Sequence, residues 1–313
     1  MRIVFFGSGE FAVPSLRSLL DSEHEVVRVV SQPDRPAGRG KAPTPTPVSQ
    51  WALELGLPLD RVANVNDPAY LETLRGLGAD IGVVVAFGQK LREPLRNLFP
   101  SQCVNIHASL LPKYRGAGPI AAAILAGETE TGVSVFRLVD RMDAGPVLIR
   151  RYTKIGPFET ASELHDRLSG IGCDAIKAAL ALHAENPLPP GEPQDESQVT
   201  LAPKLSKADG NLNFAASAEE LARRCRAMWS WPGARCRYVS AEGRQEEVTL
   251  AAVTPIPSES SEPPGTITPQ MTVATGRGTL EIHALQPAGK RVMGWHDFVN
   301  GRHVRPGDRF ESL

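Results

Sequence analysis

The chain has 313 residues, a formal net charge of −1 and 22% charged residues. This near-neutral balance excludes a global polycation, so any contact with nucleic acid has to be local. No run approaches the roughly 20 apolar residues of a membrane helix, and the length suits two domains of roughly 100 to 200 residues each. The four cysteines lack metal-type spacing, so we expect reduced thiols, a cytoplasmic location, no disulfide and no metal.

The first half alternates strand-like and helical segments. Runs rich in Val and Ile predict buried strands of a largely parallel sheet, over residues 2–6, 25–31, 81–86 and 103–106. Segments with helical spacing lie between them, over residues 13–20, 47–55 and 68–77. A later strand pair is predicted over residues 131–138 and 147–153. This order predicts an α/β fold.

The composition and the predicted elements change in the second half of the sequence. A capping box from Thr160 to Glu163 predicts a long helix that ends near residue 185. Residues 186–197 are polar and rich in proline, which is typical of a linker. A second capping box, from Ser217 to Glu220, opens another helix. Short strand-like runs separated by Gly and Pro then predict a small β-barrel, over residues 234–239, 247–253, 272–275 and 279–285.

A glycine turn after the first strand, Gly7-Ser-Gly-Glu-Phe-Ala12, matches the dinucleotide-binding pattern. That pattern also requires an acidic residue at the end of the second strand, but Asp34 lies beyond Pro33 and beside Arg35. Alternatively, the glycines serve only a tight strand-to-helix turn. A nicotinamide-dependent oxidoreductase therefore stays open on this motif alone.

A long insertion follows the second strand. It contains Arg35, Arg39 and Lys41 among glycines and prolines, a composition that cannot pack as core. Such cations can pair with phosphates, and the loop can become ordered on contact with RNA. The alternative is a solvated loop without a partner.

The densest polar motif lies at the end of the strand that begins at residue 103. Asn105 and His107 alternate along it, so their side chains share one face and can donate hydrogen bonds to an oxygen that becomes negative during acyl transfer. Asp143, from a later loop, can set the tautomer and charge of the imidazole. The pattern of a nucleophile elbow is absent around Ser109, so we infer direct acyl transfer between two bound substrates. Taken singly, each residue also has a structural reading as a turn or capping residue.

Together these residues resemble the signature of the folate-dependent formyltransferase family. The matching residues are Asn105, His107, Ser109, Leu110, Leu111, Pro112 and Asp143. The resemblance implies that Asn105, His107 and Asp143 are catalytic and that the co-substrate is N10-formyltetrahydrofolate. It places the folate along the Ser-Leu-Leu-Pro segment and along a turn that contains Val85, Phe87 and Gly88. It also suggests that Phe11 walls a methionine pocket.

The insertion resembles the loop by which some members of this family contact the acceptor arm of initiator tRNA. The resemblance implies that Arg35, Arg39 and Lys41 bind initiator methionyl-tRNA. The sequence also departs from the family: Gly7-Ser-Gly9 replaces the common Gly-Thr-Pro, and Ala-Pro-Thr-Pro-Thr replaces basic residues after Lys41. We expect formyl transfer to the α-amine of the tRNA-bound methionine. A sugar nucleotide or glycinamide ribonucleotide as acceptor, and a catalytically silent RNA-binding module, remain alternatives.

Similarity to the family extends to later runs, Lys204-Leu-Ser-Lys207 and Leu285-Gln-Pro-Ala-Gly-Lys290. We predict a Rossmann-like catalytic domain over residues 1–188, a linker over 189–206 and an OB-fold-like tRNA-binding domain over 207–313. We expect no membrane contact and no obligate protein partner. The cations considered as tRNA contacts in the last domain are Lys204, Lys207, Arg223, Arg224, Lys290 and Arg291.

Overall fold

The computed structural model describes residues 1–37, 42–258 and 260–313. These residues divide into two compact units. The first comprises Met1–Pro119, Glu130–Lys154 and His165–Ala202, and the second comprises Ile120–Thr129, Ile155–Leu164 and Pro203–Leu313. No helix of the described segments is long and apolar enough to cross a membrane.

The secondary structure follows the predicted alternation. The strands are β1 (Arg2–Gly7), β2 (Glu25–Ser31), β3 (Arg35–Ala37), β4 (Ala42–Thr44), β5 (Leu59–Arg61), β6 (Ile81–Val85), β7 (Cys103–His107), β8 (Arg115–Gly116), β9 (Glu130–Arg137), β10 (Val147–Lys154), β11 (Leu201–Ala202), β12 (Ala234–Val239), β13 (Gln245–Ile256), β14 (Val273–Ala274), β15 (Thr279–Pro287), β16 (Met293–Gly294) and β17 (Arg309–Glu311). The helices are α1 (Val13–Leu20), α2 (Pro47–Glu54), α3 (Pro68–Gly76), α4 (Glu93–Arg96), α5 (Pro119–Ala126), α6 (Ala161–Glu185), α7 (Ala218–Met228) and α8 (Trp295–Arg302).

The first unit is built on a seven-stranded sheet in the order β10-β9-β7-β6-β1-β2-β5. Strands β7, β6, β1, β2 and β5 are parallel, whereas β9 runs antiparallel to β7 and β10 runs antiparallel to β9. All five residues of β6 are buried, as expected for a parallel strand covered on both faces. The predicted α/β fold with a largely parallel sheet is confirmed.

The strand order reverses beside β1, where β2 follows on one side and β6 and β7 follow on the other. In open α/β sheets, this switch leaves a crevice at the carboxyl ends of the strands. The register pairs Gly7 with Val85 and Val85 with Ile106, so β1, β6 and β7 end side by side. This edge carries the predicted catalytic motif.

Side-chain hydrogen bonds at the N-cap residues define where several helices begin. Thr46 accepts a hydrogen bond from the backbone N–H of Ser49 at the start of α2, and Asp67 caps α3 in the same way. Proline follows each cap, where its missing N–H costs nothing. The predicted capping box of Ser217 and Glu220 opens α7, with both reciprocal hydrogen bonds present.

The second unit contains a nearly closed antiparallel sheet in the order β14-β15-β13-β12-β17, with β16 paired to β15. Its core includes Tyr238, whose ring lies 5.3 Å from that of Phe298 and 5.8 Å from that of Phe310. The predicted small β-barrel is confirmed. Helix α8 and strand β17 were not predicted from the sequence.

The insertion after β2 is more regular than its composition suggests. Arg35–Ala37 pairs antiparallel with Ala42–Thr44, and these short strands form β3 and β4. Arg39 and Lys41, two of the three predicted tRNA contacts, lie outside the described residues.

Candidate active site

His107 ends β7, and its imidazole is almost fully buried. Nε2 lies 2.8 Å from the carbonyl oxygen of Tyr114, which can only accept, so Nε2 carries a proton and donates it. Nδ1 faces Oδ2 of Asp143 at 3.8 Å, which is too long for a hydrogen bond but short enough for an ion pair when the ring is charged. The ring of Phe136 packs edge-on against the imidazole. These contacts fix the ring and direct Nδ1 toward the carboxylate.

Asp143 lies in the connection between β9 and β10, and its φ of 50° is in the left-handed region, which aspartate adopts more readily than most residues. Its Oδ2 accepts a hydrogen bond from the backbone N–H of Gly116 at 2.8 Å. Gly116 has a φ of 125°, and a Cβ there would lie 2.4 Å from the carbonyl oxygen of Ala202. Only glycine fits this close approach, so the donor to Asp143 is held by backbone packing.

Asn105 occupies β7 two residues before His107 and is partly exposed. It is in register with Val84 on β6 and with Phe136 on β9. Its side-chain amide makes no hydrogen bond to any other residue in the described segments. The structure therefore leaves an uncommitted amide on the strand that ends in the fixed imidazole.

Ser109 is fully buried, and its hydroxyl donates to the carbonyl oxygen of Lys113 at 2.6 Å. The Ser134 hydroxyl donates to the carbonyl oxygen of Ser109 and accepts from the backbone N–H of Leu111. Leu111 is buried against the core, whereas Leu110 and Pro112 are only partly buried. The surface of this segment is therefore formed by Leu110 and Pro112, and Ser109 supports it from within.

The turn after β6 contains the other residues predicted to bind folate. Val85 and Phe87 are buried, and the Phe87 carbonyl oxygen accepts hydrogen bonds from Gln32 Nε2 at 2.7 Å and from Ser8 Oγ at 3.2 Å. Gly88 has a φ of 78°, and a Cβ there would lie 2.3 Å from Gln32 Nε2. Sequence analysis missed Gln32, which fixes this turn from the end of β2.

Gln32 also contacts the insertion. The guanidinium of Arg35, which is exposed, donates to Gln32 Oε1. Asp34, the acidic residue considered for dinucleotide binding, is instead paired with Arg61 at 2.8 Å. The described part of the insertion is thus joined to the Val85–Gly88 turn through one amide.

Phe11 is buried and packs edge-on against His165, with ring centroids 5.3 Å apart. Its carbonyl oxygen accepts a hydrogen bond from Ser169 Oγ at 3.1 Å. The predicted role of Phe11 in a methionine pocket stays a prediction.

Sequence analysis missed two further residues beside this site. Gln194 and Arg115 are joined by hydrogen bonds, and Gln194 reaches the Asp143 loop. Arg115 lies in the motif that runs from Val104 to Pro119, but the motif assigned it no role, and Gln194 lies in the stretch predicted as a linker. The described residues contain no group of three or more His, Cys, Asp or Glu side chains suited to a metal ion.

Family models described as "Formyl transferase" and "Formyl transferase, C-terminal domain" match residues 1–180 and 204–303. The chain is 46% identical to the methionyl-tRNA formyltransferase of Methylococcus capsulatus, with 99% of each chain covered. It is 40% identical to that of Heliobacterium modesticaldum, with 99% of this chain and 100% of the relative covered. This chain belongs to the methionyl-tRNA formyltransferase family.

This methionyl-tRNA formyltransferase family member also resembles solved structures. One is an N-formyltransferase from Helicobacter canadensis in complex with folinic acid and dTDP-3-aminofucose, with a TM-score of 0.65 at 16% identity. The similarity covers 91% of this chain and 98% of that chain. At this level of identity the likeness supports the fold alone.

Proposed function

We propose that this chain transfers the formyl group of N10-formyltetrahydrofolate to the α-amine of methionine esterified to initiator tRNA. The observation that carries this proposal is the 46% identity to a methionyl-tRNA formyltransferase over 99% of both chains. The edge that holds Asn105, His107 and Asp143 supplies the chemistry. We further propose a cytoplasmic location, which agrees with the free state of Cys103, Cys173, Cys225 and Cys236.

The reaction needs little activation of the amine. A free α-amine has a pKa near 7.7–8.0, so a useful fraction is unprotonated at neutral pH. Its nitrogen forms a bond to the formyl carbon, and the bond from that carbon to N10 of the folate then breaks. The amine loses one proton and N10 gains one, so the protons balance. Between these events the formyl oxygen carries a negative charge.

Two donors would stabilise that oxygen. The Asn105 amide is uncommitted, and a His107 imidazolium would keep Nε2–H on Tyr114 while Nδ1–H becomes the second donor. Asp143, 3.8 Å from Nδ1, stabilises the imidazolium and, directly or through a water, relays the proton that the amine loses. The Tyr114 carbonyl occupies Nε2. Because Nδ1 makes no hydrogen bond to Asp143 at 3.8 Å, it is the ring nitrogen that can donate to the substrate oxygen.

We place the folate along the surface of Leu110 and Pro112 and along the Val85–Gly88 turn, where backbone groups recognise its polar edge. We assign the contacts of this protein with initiator tRNA to Arg35, Arg39 and Lys41. Phe11 is assigned to the methionine pocket. Support for the turn comes from Gln32, whose bond to the Phe87 carbonyl keeps the backbone in place.

The second candidate is formyl transfer to an amino-sugar nucleotide. A protein of the same fold, the Helicobacter canadensis N-formyltransferase, was solved with dTDP-3-aminofucose, so this architecture can hold such an acceptor. The same catalytic residues would serve either acceptor, so the acceptor has to be tested directly.

The test is a formyl-transfer assay with N10-formyltetrahydrofolate and one acceptor at a time. The acceptors are charged initiator tRNA, uncharged initiator tRNA, glycinamide ribonucleotide and dTDP-3-aminofucose. We expect formylation of the charged tRNA alone, with turnover lowered by about 10²- to 10³-fold in Asp143→Ala. Formylation of a small acceptor, with none on the charged tRNA, would overturn the proposal.

A further inference from the structure

Residues 191–202, part of the predicted linker, hydrogen-bond along the edge of the active site. The Thr200 carbonyl oxygen accepts from the backbone N–H of Arg115 at 2.9 Å, and Thr200 Oγ1 accepts from the backbone N–H of Tyr114 at 2.8 Å. Glu192 exchanges two backbone hydrogen bonds with Val147 at the start of β10. The 191–202 segment is part of the first unit. It borders the Tyr114–Gly116 segment, which contacts His107 and Asp143, and the start of β10, which follows the loop that carries Asp143.

Gln194 has the most direct position in this segment. Its Nε2 donates to the carbonyl oxygens of Asp143 at 2.8 Å and Gly145 at 2.7 Å. Its Oε1 accepts two hydrogen bonds from the Arg115 guanidinium, from Nε at 3.0 Å and from Nη2 at 2.8 Å. Both N–H groups and the oxygen of the amide are thus used. Arg115 is almost fully buried and also pairs with Glu196.

These contacts join the Tyr114–Gly116 segment to the loop that carries Asp143. Arg115 lies between Tyr114, whose carbonyl holds the imidazole, and Gly116, whose N–H holds the carboxylate. The oxygen of Gln194 binds this segment, while its nitrogen binds the loop that carries Asp143. Because Asp143 has a positive φ, surrounding contacts have to maintain its conformation.

We propose that Gln194 is a positioning residue that sets the separation of His107 Nδ1 and Asp143 Oδ2. It clamps the Asp143 loop against the segment around Arg115 and touches no reacting atom. The inference rests on the proposed formyl transfer at this pair. Errors of about 1 Å in a catalytic group can lower turnover about 10²-fold, so a lost clamp has a measurable effect.

The first test compares Gln194→Ala with Gln198→Ala. Gln198 is an exposed glutamine of the same segment, and its side chain donates to the Asp195 carboxylate. We expect Gln194→Ala to lower kcat about 10- to 100-fold, with KM for folate and for charged tRNA within about twofold. We expect Gln198→Ala to stay within about twofold of the unmodified chain. Equal kcat values in the two variants would overturn the proposal.

A second variant separates the effect of the Gln194 hydrogen bonds from the effect of its side-chain volume. Gln194→Glu keeps the side-chain volume and the acceptor for Arg115, but it turns a carboxylate toward two carbonyl oxygens. We expect kcat at least as low as in Gln194→Ala, and a thermal unfolding midpoint well above the assay temperature is the folding control. If the alanine variant does not fold, this variant carries the test. Full activity in Gln194→Glu would show that the loop bonds are dispensable.

A double-mutant cycle tests whether Gln194 acts through Asp143. In an Asp143→Ala background, we expect Gln194→Ala to add less than about a threefold further loss. Losses that multiply would overturn the positioning role, since a general structural defect acts whatever residue occupies 143. An Asp143→Ala variant with strongly lowered turnover beside a fully active Gln194→Ala variant refutes this inference alone. Absence of formyl transfer by the unmodified chain refutes the proposed function, and this inference with it.

Discussion

Replacing Asn105 with alanine separates chemistry from stability at this site. The side chain is partly exposed, and its amide makes no hydrogen bond within the described segments, so its removal leaves no protein group unpaired. We therefore expect the free energy of unfolding to change by no more than about 0.5 kcal/mol. His107→Ala differs because it removes the hydrogen bond from Nε2 to the Tyr114 carbonyl oxygen, a loss of about 0.5–1.5 kcal/mol.

The expected effect of Asn105→Ala on turnover follows from the loss of one of the two donors that we propose for the oxyanion. Removal of one such donor costs about 10²- to 10³-fold in kcat, or about 2.7–4 kcal/mol of transition-state stabilisation. Folate affinity should stay close to normal, because the charge on the formyl oxygen develops only in the transition state.

The assay measures initial rates of formylation of charged initiator tRNA at saturating folate. Equilibrium folate binding and urea unfolding are measured on the same preparations. A variant that retains a tenth or more of kcat would refute the donor role of Asn105. A fall in kcat matched by a fall of more than about 2 kcal/mol in stability would refute the claim that the amide is uncommitted.

Three other predictions concern the insertion after β2 and the barrel. Arg35→Ala should raise KM for charged tRNA and flatten its salt dependence by about one unit of slope, and unchanged kinetics across a salt series would contradict this. Tyr238→Phe removes a 2.6 Å hydrogen bond to the buried Asp308 and should lower the free energy of urea unfolding by about 1–2 kcal/mol without changing kcat. Hydrogen bonds from Arg302 lower the pKa of Glu246, so this carboxylate stabilises the fold above its ordinary pKa, and the contribution is lost as pH falls through the lowered value. Glu246→Gln should therefore destabilise the chain by about 0.5–1 kcal/mol at pH 7 and by much less near pH 3, and equal losses at both pH values would contradict the assignment.

Local periodicity and capping determined much of the fold. The Val- and Ile-rich runs gave the buried strands of the sheet, and the Ser217 capping box located the start of α7. The alternation of β7 placed Asn105 and His107 on one face, because successive strand side chains point to opposite sides. Each of these inferences depends on residues close together in the chain, so the sequence alone is sufficient.

Only the tertiary structure decided what holds the proposed active site in place. The hydrogen-bond partners of the His107 ring and of Asp143 are backbone groups of Tyr114 and Gly116. Almost every residue type has these backbone groups, so residue identity does not indicate which ones make such contacts. Gln32 and Gln194 act through side-chain amides on carbonyl groups more than 45 positions away, at distances of 2.7–2.8 Å. Residues 186–197 have the polar, Pro-rich composition of a solvated linker, and composition cannot show whether such a segment hydrogen-bonds to water or to the rest of the fold. That choice depends on which backbone donors and acceptors the rest of the fold leaves unpaired beside it.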